Sequence, residues 1–119
     1  PFESLRMHFR MKKYFYLSTL LFLVACGTTK LAAPAQADAD RGTAKFADVT
    51  LAQLTEGKAV YDLNCGACHK APKPKSQSEA GWRHIVPEMC VKAKRKTGNS
   101  ISPEQEESLL RFLIVMGAK

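Results

Sequence analysis

No apolar stretch of this chain is long enough to cross a bilayer. The longest, Tyr14 to Ala25, runs for 12 residues, against about 20 for a spanning helix. Aromatic residues are sparse at 8% and are not interleaved with the basic ones. No nucleic-acid motif is present either, so the reading is no nucleic acid. Cysteine is scarce as well. The four thiols, Cys26, Cys65, Cys68 and Cys90, do not divide into a disulfide framework. At 119 residues the chain has room for one domain at most.

Basic residues outnumber acidic ones 18 to 11, but part of that excess lies in a segment expected to be removed. From Cys26 onward 14 basic residues face 10 acidic ones, which leaves +4. Residues 1–10 carry no pattern and are expected to be an untranslated upstream extension, with the start at Met11 or Met7. Residues 11–25 read as a signal peptide: Lys12 and Lys13 form the charged region, the apolar run follows, and small residues close it. Leu23-Val24-Ala25-Cys26 resembles the bacterial lipobox. The resemblance implies lipidation of Cys26, which becomes the new N-terminus, on the periplasmic side of a bacterial membrane. Acyl chains hold a protein on a membrane without spanning it. Gly27 stands where proteobacterial lipoproteins kept in the inner membrane carry aspartate, which favours the outer membrane. Residues 26–49, rich in Ala, Asp and Thr, then read as a lipidated N-terminus and flexible tether. Residues 50–119 are expected to fold.

Within that domain the chemistry centres on Cys65-Gly66-Ala67-Cys68-His69. Two thiols three positions apart suit addition across the two vinyl groups of one porphyrin edge, and the adjacent imidazole suits iron ligation. A bare C-x-x-C also serves zinc sites and redox dithiols, but neither needs a histidine directly after the second cysteine. Cys90 is left over, either a buried inert thiol or a reactive one.

Leu54, Tyr61 and Cys65 share one face of a helix that starts near Thr50 and runs into the motif. Gly57 sits inside it, where glycine costs about 1 kcal/mol against alanine unless packing compensates. Lys70 to Gly81, with Pro72 and Pro74, reads as a loop. A second helix is expected from Trp82 to about Lys94, with Ile85, Val86, Met89, Cys90 and Ala93 on its apolar arc and His84 opposite. Pro87 should kink it or delay its start. Ser102-Pro103-Glu104-Gln105 opens a last helix whose apolar side is Leu109, Phe112, Leu113 and Met116, ending at Gly117.

Gly57-x-x-x-Tyr61-x-x-x-Cys65 joined to Cys68-His69 resembles the first helix of class I cytochromes c. Trp82 with Met89 seven residues on, followed by a capped terminal helix, is similar to a group of short single-haem members. The resemblance covers residues 50–119 and implies an all-α fold: a small cytochrome c-like three-helix arrangement wrapped round one covalent haem c. It further implies that the glycine admits the last helix at close range, with Phe112 meeting Tyr61. A carbonyl of the proline loop would fix the His69 ring, and Met89 would be the distal iron ligand. Met116 is expected to be packing and His84 to be exposed. Trp82 either offers its indole N–H to a haem propionate or simply packs in the core.

The expected function is electron carriage outside the cytoplasm, not enzymatic turnover. Lysines 70, 73, 75, 92, 94 and 96, with Arg95, would steer an acidic redox protein or a membrane oxidoreductase complex. The alternative is a haem-based gas sensor or ligand-binding protein with a labile or absent sixth ligand. A peroxidase would need distal acid–base groups, and His84 lies on the wrong face. The domain has only about 70 residues, so haem is expected to complete the core.

Overall fold

The computed structural model describes residues 30–118; the expected extension, the signal peptide and Cys26 lie outside them. The described residues are helical, with no strand: α1 spans Gln36–Gly42, α2 Leu51–Asn64, α3 Glu79–Thr97 and α4 Pro103–Gly117, and Pro74–Ser76 forms one 3-10 turn. Each of the three longer helices begins on a hydroxyl that accepts a backbone N–H which the helix itself leaves unpaired. Thr50 Oγ1 takes the Gln53 N–H at 3.2 Å and Ser78 Oγ takes that of Gly81 at 3.1 Å. Ser102 and Gln105 cap each other reciprocally, with Pro103 in the first turn. α3 ends at Gly98, whose φ of 77° puts it in the left-handed region that favours glycine. Lys94, Arg95 and Lys96 crowd its last turn, where the helix dipole favours cations.

α2 and α4 are the most extensively packed pair. Gly57 is the reason they can be. A Cβ there would run into the Ser108 carbonyl and stand 2.7 Å from Phe112 Cβ. The absent methyl therefore sets the crossing distance, and the packing it allows offsets the weak helix propensity of glycine. Phe112 is fully buried beside it, with its ring centroid 5.8 Å from that of Tyr61. Leu54, Leu113 and Val115 complete the centre.

The structure corrects the sequence reading at two places in the fold. The segment read as tether is packed from Gln36 onward, so a fourth helix joins the expected three. Ala39, Phe46 and Val49 are buried, as is Asp38, which pairs with Arg41 at 2.8 Å. Arg41 also donates to the Val115 carbonyl at 3.4 Å. The Phe46 ring lies beneath two guanidinium groups, with Arg111 4.9 Å and Arg83 5.7 Å from its centroid, an attraction to the ring's negative face. Small residues and cation pairing anchor this segment in place of a large apolar stripe. The second correction concerns Pro87. α3 runs through it unbroken from Glu79. Pro87 and Arg83 both lie on the exposed side, where water can take the carbonyl that proline leaves without a donor.

Candidate functional site

A cavity of about 290 Å³ opens between the end of α2, the loop after it, the inner face of α3 and the middle of α4. α2 delivers Cys65 at its C-cap, where the Cys65 N–H closes the helix on the Tyr61 carbonyl at 3.0 Å. Cys68 and His69 follow in the turn and also line the cavity. The facing wall is the arc of α3 anticipated from the sequence: Trp82, Ile85, Val86, Met89, Cys90 and Ala93 all line it. Leu109 and Leu113 of α4 close the floor, and Ile101 and Lys92 also contribute.

The Cys65 thiol is pushed up to about 12, first by burial and then by the neighbouring Cys90 and Asp62. Cys90 is pushed up to about 11, again mainly by burial. These are thiols held neutral. A redox dithiol needs the reverse: a thiolate favoured by a helix N-terminus or by cations. Here Cys65 sits at the negative end of α2. A closed zinc site needs four converging donors, and among the described residues no group of three His, Cys, Asp or Glu side chains is arranged to hold a metal.

The loop from Lys70 to Ser78 is tied at three carbonyls. His69 Nδ1 lies 2.9 Å from the Lys70 carbonyl; in the tautomer that donates this bond, Nε2 carries the free lone pair. The Tyr61 hydroxyl donates to the Pro72 carbonyl at 3.0 Å. The Trp82 indole N–H donates to the Pro74 carbonyl at 2.9 Å. That last bond gives the Trp82 donor a partner within the protein. The side chain is 3% exposed and borders the cavity by its ring, while its donor is already engaged within the protein.

Met89 is half-buried and lines the cavity; Met116 is buried in α4 and does not. His84 is exposed, 3.8 Å from Glu88 on the outer side of α3. Two lining residues, Asn64 and Ile101, escaped the sequence reading. Asn64 ends α2 by donating Nδ2–H to the Val60 carbonyl at 2.9 Å, and its Oδ1 is buried without a hydrogen-bond partner. Its position directly before Cys65 was the available signal. No family model matches the chain, and comparison with curated proteins and with solved structures gives no match.

Proposed function

We propose that this protein is a membrane-anchored c-type cytochrome, a carrier of single electrons between redox partners outside the cytoplasm, with one covalent haem c in the cavity between α2, α3 and α4. The observation that carries this reading is a convergence. Cys65, Cys68, His69 and Met89 line one cavity, and its remaining walls are almost wholly apolar. Two thiols, an imidazole and a thioether around an apolar hollow are the donor set a haem c requires. When bound there, haem iron supplies a one-electron couple.

The chain's own residues would divide the work. Cys65 and Cys68 would add their S–H groups across the two vinyl groups to give thioethers. His69 offers Nε2 while the Lys70 carbonyl fixes its ring, and a bonded second ring nitrogen raises the basicity of the first. Met89 would offer its thioether to the iron, and thioether ligation would raise the reduction potential. Ile85, Leu109 and Leu113 exclude water. The exposed lysines at 70, 73, 75, 92, 94 and 96, with Arg95, would draw in an acidic redox protein or a membrane oxidoreductase complex, faster at low salt. Cys26 would hold the protein by lipid on the periplasmic side of a bacterial membrane, with the outer membrane favoured.

The half-buried position of Met89 gives the rival reading, a haem-based gas sensor or ligand-binding protein, its one point of support. An absorption spectrum of the exported chain decides between them. A low-spin spectrum indifferent to carbon monoxide, with a thioether-to-ferric charge-transfer band lost in Met89→Ala, is expected of the carrier. A high-spin or carbon-monoxide-sensitive spectrum would transfer the assignment to the sensor. A protein without any haem band would refute both.

A further inference from the structure

We infer that the outer face of α3 docks a second copy of this chain, the two helices running antiparallel about a two-fold axis at Val91. The inference stands apart from the haem reading, because this face is turned away from the cavity. Among the described residues two large hydrophobic side chains are exposed, Leu63 at 75% and Val91 at 58%. At about 100° per residue, Val91 stands half a turn round the helix from Trp82, opposite the arc that lines the cavity. His84, Pro87, Glu88, Lys94 and Arg95 fall within about 60° of it on the same helix, and all five are exposed.

The charges on this face select the geometry. Two copies laid parallel would set Glu88 against Glu88 and Lys94 against Lys94, and like charges facing each other repel. Reversing one helix about Val91 brings the residue three before it opposite the residue three after it. Glu88 then meets Lys94 of the partner subunit, and by symmetry the same contact forms twice. Pro87 and Arg95, four before and four after, meet in the same way, which lays an arginine stem on a proline ring. Within one chain these charges are poorly matched. Glu88 has long, exposed pairings at 3.8 Å from His84 and 3.7 Å from Lys92, which contribute little. Lys94 makes no ion pair among the described residues. An acidic protein of another kind would suit Lys94 and Arg95 but would meet Glu88 with like charge; a second copy suits all three. One helix against its copy makes less than a standard interface, so the pairing depends on concentration. It joins the copies back to back, leaves both cavities facing outward, and takes Lys94 and Arg95 out of the partner-steering group.

The test is sedimentation equilibrium of the full chain in density-matched detergent over a range of concentrations. Wild type should move from the mass of one copy towards that of two, less readily at high salt. Glu88→Lys and Lys94→Glu should each hold the chain at one copy, as should Val91→Asp, which sets two like charges on the axis. The double variant Glu88→Lys with Lys94→Glu restores the pairing with its signs exchanged and should associate again. Leu63→Asp changes the other exposed hydrophobic and should behave as wild type. These positions are exposed, so the helical signal should be the same in all variants. Three results would overturn the proposal: a wild type that stays at one copy throughout, as expected if a different protein takes this face; association that neither single reversal weakens; and a double reversal that fails to recover it.

Discussion

The two sides of α2 meet very different surroundings. On one side, Gly57 lets α4 approach until backbone and Phe112 leave no room for a single methyl. On the other, the end of the same helix opens onto a cavity of about 290 Å³ lined by sulfur and apolar groups. The first contact is finished by the chain's own residues; the second leaves α3 facing a hollow. Protein interiors otherwise fill at crystal-like density, because unfilled apolar volume forfeits dispersion contacts. The closed side is a finished contact within the chain, and the open side is where the proposed haem would sit.

The largest test of this contrast removes what the open side is proposed to hold. Cys65→Ala combined with Cys68→Ala should leave a chain without attached haem and largely unfolded, read as loss of far-ultraviolet helical signal and of amide protection. Native-like helicity and protection in that variant would mean that the closed side suffices alone. Next comes the closed side itself. Gly57→Ala improves helix propensity by about 1 kcal/mol, yet it forces a methyl against the Ser108 carbonyl, and overpacking costs about 1–3 kcal/mol, occasionally more, with backbone as the obstacle here placing it toward the upper end. Denaturant unfolding of the haem-loaded protein should show a net loss; a gain in stability would refute the close-approach argument.

How much of this contrast could be read from the sequence depended on the kind of interaction involved. The crossing of Gly57 and Tyr61 with Phe112 was legible only through the resemblance of Gly57-x-x-x-Tyr61-x-x-x-Cys65 to the first helix of class I cytochromes c. The α3 arc was legible from its helical period, Met89 included. Residues 36–49 were not. Their anchoring depends on Ala39, on Asp38 paired with Arg41, and on Phe46 under Arg83 and Arg111; composition alone resembles a tether, and the guanidinium partners lie far along the chain. The donor of Trp82 was equally hidden, since nothing in the order of residues says which loop carbonyl will reach an indole. Pro87 misled only about where the helix begins, because its cost depends on whether water can reach the Arg83 carbonyl.

The smallest expected effect belongs to the packed N-terminal segment. Asp48 is held below the ordinary carboxylate range chiefly by its hydrogen bond from Arg111, and Glu79 by bonds from Lys45 and then Arg83. Lys45–Glu79 and Arg111–Asp48 measure 2.7 and 2.9 Å. Because both folded values are depressed, their contribution is complete above about pH 4, the range of unfolded carboxylates, and is lost as pH falls through the lowered values. Asp48 is exposed and Glu79 partly so, so the acid-side loss should be slight and weaken with salt. Thermal unfolding from pH 5 to pH 2.5, compared with Asp48→Asn and Glu79→Gln, would show it; a large, salt-resistant loss tied to these two residues would contradict the geometry.

The two carbonyl ties of the proline loop also bear on time. Pro72 is held by Tyr61 of α2 and Pro74 by Trp82 of α3, both from buried side chains. A surface loop ordinarily flickers on its own within nanoseconds to microseconds. This one can lift only when side chains from two helices release it together, which places its opening with the slower, shared motions of the bundle. Amide exchange at Lys75 and Ser76 should then track that of α2 and α3. The rim beside His69 thus behaves less like a flap than like a lintel.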